Sequence, residues 1–106
     1  MVEIIELTDE NFDKFLKTTD KPVLVDFFAP WCGHCRVQST ILDSLAKDID
    51  DAIIAKIDVD NNRKKATEYF ISGIPAMLLF KNGKLQTQKA GVHQKEELKK
   101  LIEKYV

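Results

Sequence analysis

Cys32 and Cys35 are the only thiols in the chain and stand three residues apart in the stretch VDFFAPWCGHCRVQ, Val25 to Gln38. Closing so short a loop removes little chain entropy, so this pair cannot staple a fold. Thiols at this spacing are reactive or bind metal. Cys32 falls where an apolar run ends and a helical pattern begins. The first turn of a helix leaves N–H groups unpaired and carries the positive end of the dipole. A thiolate there is stabilised, its pKa falls, and the thiolate is the nucleophile. Cys35 lies one turn further on the same face, within reach of a disulfide formed at Cys32. Gly33 leaves the approach open. The pattern reads as a dithiol–disulfide site at a strand-to-helix junction.

The alternative is metal. Cys32 and Cys35 with His34 and His93 would supply four ligands. A structural zinc site draws on a second closely spaced pair, which the chain lacks. In a helix, His34 also points away from a site shared by both sulfurs. No metal is expected.

Asp26 is the second chemical feature, enclosed in Val23-Leu24-Val25-Asp26-Phe27-Phe28. At a strand edge it would face water. In a strand buried on both faces it is buried, and burial raises a carboxyl pKa by disfavouring the charged form. A carboxyl titrating near neutrality below the cysteines could take and return the proton of Cys35. Strand alternation allows Lys56 to lie near Asp26 and tune it. Lys56 as an ordinary surface lysine is the equal alternative.

The elements that must hold these groups alternate between strand and helix. Glu3–Leu7 reads as a strand, and Thr8 as the cap of a helix with Phe12, Phe15 and Leu16 on one face. Lys21-Pro22 breaks that helix. Pro22–Ala29 reads as a strand buried on both faces. A helix then begins at the cysteines, with an inward stripe of Val37, Ile41, Leu42, Leu45 and Ile49. Ala52–Val59 is a strand, and Lys64–Phe70 a short helix with Ala66, Tyr69 and Phe70 inward. Pro75–Lys81 and Lys84–Ala90 form a hairpin around Asn82-Gly83. A last helix shows Leu98, Leu101, Ile102 and Tyr105 on one face. This βαβαβ then ββα order implies an α/β fold, a central mixed sheet covered by helices on both sides.

Composition excludes several classes. The 106 residues suit one domain spanning 1–106, 44 % of them are hydrophobic, and the net charge of −1 comes from interspersed acids and bases. No nucleic-acid footprint or membrane-binding basic patch is evident. No apolar run is long enough to cross a bilayer. MVEIIELTDENF carries acids where a secretory signal carries lysines before an apolar core, and IEKYV is not a retention signal. A soluble, cytoplasmic monomer is expected. No G-x-G-x-x-G is present, so no flavin or nicotinamide cofactor is expected.

The blocks VDFFAPWCGHC, AKIDVD, GIPAMLLFKNG and KAGV resemble the signature blocks of the thioredoxin family, in order and spacing, across essentially the whole chain. The resemblance implies a thioredoxin fold with about five strands and about four helices. It implies an oxidoreductase that reduces protein disulfides through a mixed disulfide at Cys32, resolved by Cys35. A thioredoxin-reductase-like flavoprotein would recharge it. It also implies that Pro75 is cis and packs against the disulfide, although a trans proline opening a strand is an acceptable alternative. Trp31, Gly33, Ile74, Gly91 and Val92 would match the family's apolar substrate patch. The alternative for Trp31 is a partly buried core aromatic. Phe27 reads as core.

The chain departs from the commonest pattern at four places. His34 stands where proline is usual, and Gly-His between the cysteines resembles protein disulfide isomerase domains. This leaves an oxidant or isomerase as the rival reading, beside a partner-binding module built on Trp31 and Pro75. Phe28 replaces a second tryptophan, Thr40 a helix-kinking proline, and Gln94 a better cap for the last helix.

Overall fold

The computed structural model describes residues 1–106. Its elements are β1 (Ile4–Leu7), α1 (Phe12–Leu16), β2 (Val23–Phe28), α2 (Gly33–Asp48), β3 (Ile53–Asp58), α3 (Arg63–Glu68), β4 (Ala76–Lys81), β5 (Lys84–Ala90) and α4 (Lys95–Glu103). The sheet order is β1-β3-β2-β4-β5. β3 lies parallel to β1 and β2, β4 antiparallel to β2, and β5 antiparallel to β4. β2 therefore occupies the middle, and its unbroken apolar run reflects burial on both faces.

Alternation along β2 divides the core in two. Val23, Val25 and Phe27 face α1, together with Phe12, Leu16 and Phe80. Leu24 faces the other way, with Leu42 and Leu45 of α2 and Leu98 and Ile102 of α4. Asp26 shares the parity of Leu24, so it faces the side covered by α2. At the hairpin, Asn82 and Gly83 have φ of 53° and 78°. Both values are positive, as the tightest hairpin turns require. The N-cap of α1 is Asn11, with no side-chain bond into the helix, rather than the expected Thr8. Thr8 lies one turn earlier: its N–H donates to Asn11 Oδ1 at 2.7 Å, and Asn11 N–H donates to Thr8 Oγ1 at 3.2 Å. Regular helix starts only at Phe12.

Two expected helix faces are corrected. In α2, Val37 is exposed and Gln38 is fully buried. Cys35 faces inward, so its neighbours at i+3 and i+7, Gln38 and Leu42, must do so too. In α3, Ala66 is half-buried and Tyr69 caps the helix beside Phe12, Phe27 and Phe80, with ring centroids 5.4–6.3 Å away. Phe70 lies outside the helix and is 87 % exposed. Its φ is +54°, and it closes α3 with the paired bonds of a Schellman turn: Ile71 N–H to the Ala66 carbonyl at 2.9 Å and Phe70 N–H to the Thr67 carbonyl at 3.1 Å. Glycine is the usual residue there. A residue bearing a Cβ costs about 1–2 kcal/mol in this conformation.

The inward-facing residue missed on α3 is Lys65. It is 6 % exposed, donates to Asp13 and Glu68 at 2.8 Å each, and its Nζ lies 5.3 Å from the Phe12 ring centroid. Its stem packs against the ring while its ammonium reaches two half-exposed carboxylates. This anchor fixes α3, and so the start of the loop that returns to β4. Lys65→Ala is expected to cost about 1–3 kcal/mol, most of it lost packing, because exposed ion pairs contribute little. Lys64→Ala on the exposed face should stay within about 0.5 kcal/mol. Urea unfolding of both variants checks this, and equal midpoints would contradict it.

Candidate active site

β2 ends at Phe28, and Ala29-Pro30-Trp31 leads into α2. Cys32 N–H donates to the Ala29 carbonyl at 3.2 Å, closing this turn. Cys32 occupies the N-cap of α2 with extended backbone, and its Sγ accepts the N–H of Cys35 at 3.2 Å. Sulfur thus takes the place that a serine or aspartate oxygen fills in an ordinary cap. The first turn of α2 holds no acidic residue to oppose the dipole. Cys32 and Cys35 are joined in a disulfide with Cα atoms 5.2 Å apart. Both are largely buried, at 7 % and 3 % exposure.

The loop before β4 covers the sulfurs. The Ile74–Pro75 peptide is cis, and the Ile74 carbonyl oxygen lies 3.9 Å from Cys32 Sγ. Ile74 packs against the small cluster of Ala29, Cys32 and Cys35, and Pro75 is buried. Gly91, at φ +83°, turns the chain out of β5 and donates its N–H to the Pro75 carbonyl at 2.8 Å. Gly91 and half-buried Val92 thereby join the same rim. Gln38 holds the next residue from beneath: its amide donates to the His93 carbonyl at 3.1 Å and accepts the His93 N–H at 2.7 Å. Sequence reasoning passed over Gln38. A polar residue three positions after an inward cysteine was the available signal.

Trp31 is 67 % exposed and so is not a core aromatic. Its indole N–H donates to Asp60 Oδ2 at 2.7 Å. Asp60 is in turn placed by the turn after β3, where Asp58 Oδ1 accepts the Asp60 N–H at 2.9 Å. Both aspartates were missed, because nothing in AKIDVD distinguishes a turn-building acid from a solvated one. A groove of about 600 Å³ opens beside Trp31 and runs past Asp60 and Arg63 to Phe70, Gly73 and Ile74. Gly33 is exposed, and a Cβ there would meet nothing within 4 Å. His34 is exposed beside it.

Asp26 is 3 % exposed, and its Oδ1 has no hydrogen-bond partner. Burial pushes its pKa up to about 7, against the opposing pull of Lys56. Lys56 is Asp26's register partner on β3, which settles the open choice in favour of proximity. The two make no ion pair within 4.0 Å, and Lys56 Nζ lies 5.5 Å from the Phe28 ring centroid. Asp26, Lys56 and Cys35 line one small cleft of about 120 Å³ behind the disulfide, room enough for water between carboxyl and sulfur.

His93 is engaged elsewhere, with Nδ1 2.7 Å from Glu97 Oε2 and Nε2 2.8 Å from the Ala90 carbonyl. No three His, Cys, Asp or Glu side chains converge as a metal ion would need. No helix is long and apolar enough to cross a membrane.

The thioredoxin family model matches residues 3–104. The chain is 45 % identical to the thioredoxin of Chlamydia pneumoniae over 105 residues, covering 99 % of each. It is 42 % identical to the thioredoxin of Buchnera aphidicola subsp. Baizongia pistaciae over 104 residues, 97 % of this chain and 95 % of that one. A mutant thioredoxin from Halobacterium salinarum NRC-1 superposes with a TM-score of 0.89 at 36 % identity, covering 97 % of this chain and 90 % of the other. The chain belongs to the thioredoxin family, and with its Cys32–Cys35 pair it is a thiol–disulfide oxidoreductase.

Proposed function

We propose that residues 1–106 act as one thioredoxin domain, a cytoplasmic monomer that reduces disulfides in partner proteins and is recharged by a thioredoxin-reductase-like flavoprotein. The observation that carries this reading is the sulfur of Cys32 at the N-cap of α2, accepting a helix N–H, with an unpaired buried carboxyl behind it. In the reduced protein the Cys32 thiolate attacks one sulfur of a substrate disulfide. That S–S bond breaks, a Cys32–substrate disulfide forms, and the departing substrate thiolate takes a proton from water. Cys35 then gives its proton to the Asp26 carboxylate, directly or through water in the shared cleft. The Cys35 thiolate attacks Cys32 Sγ, and the second substrate thiolate leaves. Two electrons have passed from the cysteine pair to the substrate, leaving the Cys32–Cys35 disulfide. Trp31, Gly33, Ile74, Pro75, Gly91 and Val92 form the surface that receives the substrate chain, and Gly33 keeps it free of side-chain bulk.

One observation favours a second reading. His34 lies exposed in the first turn of α2, where the Gly-His pair resembles protein disulfide isomerase sites. An imidazolium there adds to the dipole in stabilising the thiolate, hence the reduced state, and makes the protein a weaker reductant. Lys56 and His34 would then tune the site from opposite sides.

Three outcomes test these roles. Brief alkylation of reduced protein near neutral pH should label Cys32 ahead of Cys35, by peptide mapping; preferential labelling of Cys35 would reverse the assignment. Asp26→Asn should slow resolution of the mixed disulfide more than its formation. It should also stabilise the fold in a pH-dependent way. The folded pKa of Asp26 lies above its unfolded value of 3.8, so the stability its protonated form contributes is complete below that value and lost as pH rises through about 7. The loss amounts to roughly 4 kcal/mol at most. Guanidinium unfolding should therefore find the variant more stable at pH 8 and little changed at pH 4, whereas a less stable variant at pH 8 would exclude a poorly paired carboxylate. Lastly, the potential of the pair should lie between about −270 and −180 mV, nearer the first, and His34→Pro should lower it by roughly 20–40 mV. Equilibration with glutathione measures it, and an unchanged or higher potential in the variant would remove His34 from the redox poise.

A further inference from the structure

Phe70 combines features that nothing inside the chain accounts for. It is the most exposed large hydrophobic residue, at 87 %, and it takes no part in the ring cluster of Phe12, Phe27, Tyr69 and Phe80. Its backbone holds the left-handed conformation of a helix-closing turn, a place suited to glycine. Strain of that kind, kept under a side chain that packs against nothing, marks a functional position more often than a structural one. Phe70 stands on the wall of the groove of about 600 Å³ that also contains Trp31 and Ile74. Ile74 packs against the cluster of Ala29, Cys32 and Cys35, with its carbonyl oxygen 3.9 Å from Cys32 Sγ, so this groove continues the surface around the sulfurs.

The groove carries one charge of each sign, Asp60 and Arg63. Asp60 accepts the Trp31 indole N–H and keeps its negative charge, and Arg63 has no ion-pair partner within 4.0 Å. With the two charges balanced, selection there falls to the apolar wall, which suits an extended stretch of polypeptide carrying an aromatic or large aliphatic side chain.

We propose that Phe70 is a specificity-determining residue: it and Trp31 flank a subsite for an aromatic or large apolar side chain near the cysteine of the substrate protein. The inference rests on the disulfide-reductase reading above. Substrates with such a side chain are held against the Phe70 ring while Cys32 forms the mixed disulfide. Those with small polar residues there gain nothing from it.

The test uses the full chain in its reduced form and a set of synthetic peptide disulfides free of lysine and arginine. One tyrosine is walked along the residues flanking the cysteine, against an all-serine background. Stopped-flow fluorescence of Trp31, the only tryptophan, follows the second-order reaction. In the wild-type protein at least one tyrosine position should react about 3- to 10-fold faster than serine, the range expected for one aromatic pair. Phe70→Gly, which removes the ring and suits the left-handed backbone, should bring that ratio to about one. Phe70→Tyr should keep it. A ratio that persists in Phe70→Gly, or never exceeds one in wild type, overturns the subsite while leaving the reductase reading intact. If no peptide reacts with the reduced protein, the reductase reading falls as well.

Discussion

A sulfur atom caps the longest helix of this protein, and the rest of the structure follows from that contact. For Cys32 to accept the N–H of Cys35, α2 must begin within a few residues of the end of β2. β2 must then be a central strand, so that its C-terminal edge opens on a crevice between neighbours rather than on bulk solvent. Parallel β3 on one side and antiparallel β4 on the other supply this setting. The loop before β4 lands against the sulfurs because β4 runs opposite to β2, which brings the start of β4 to the end of β2. Ala76, the first residue of β4, pairs with Phe27, next to the last residue of β2. The reactive pair, the Ile74–Pro75 loop and the carboxyl behind them thus meet through strand order alone.

The secondary contacts around the site have a common form: polar groups hold loops that no hydrophobic contact could place. Gln38 grips the backbone of His93 from inside the core, Asp58 shapes the turn that presents Asp60, and Asp60 fixes the Trp31 indole. Each uses a directional bond, net worth about 1 kcal/mol. Apolar packing would bury these loops but leave their orientation free, whereas the proposed substrate-binding rim would need fixed orientation.

Much of this was legible in the sequence, for identifiable reasons. The C-x-x-C pair, Asp26 within an apolar run and the Asn82-Gly83 turn each break a local pattern in a way that has one ready physical cause. Lys56 was reachable only as one of two readings, because alternation gives the face of a residue but not its neighbour. The inward face of α2 was displaced by one residue because Val37 fits the apolar period better than Gln38 does. The polar side chain is the buried one, its amide satisfied by a backbone 55 residues away in sequence rather than by neighbours in the helix. On α3, hydrophobicity pointed to Phe70 and structure chose Lys65. A helix of six residues offers too little periodicity to rank its faces.

The places where pattern and structure part company are also those that cost stability, and they flank the disulfide on both sides. Behind it, the Asp26 carboxyl sits in the core with one oxygen unpaired. In front, Phe70 holds a strained backbone and an exposed ring. Neither is stabilising, and each would be relieved by a simple substitution, asparagine at one and glycine at the other. A sequence shaped for stability alone would carry those residues. The fold tolerates both because β2 and β4 are buried along their length save at their last residues, half-buried Phe28 and Lys81, and their apolar side chains fill two packed clusters, one on each face of the sheet. These costs lie on the side of the fold that holds the sulfurs, where the proposed roles would use them: a carboxyl that is to release and accept a proton near neutrality must be poorly solvated, and a ring that is to meet a partner's side chain must not already be packed against its own.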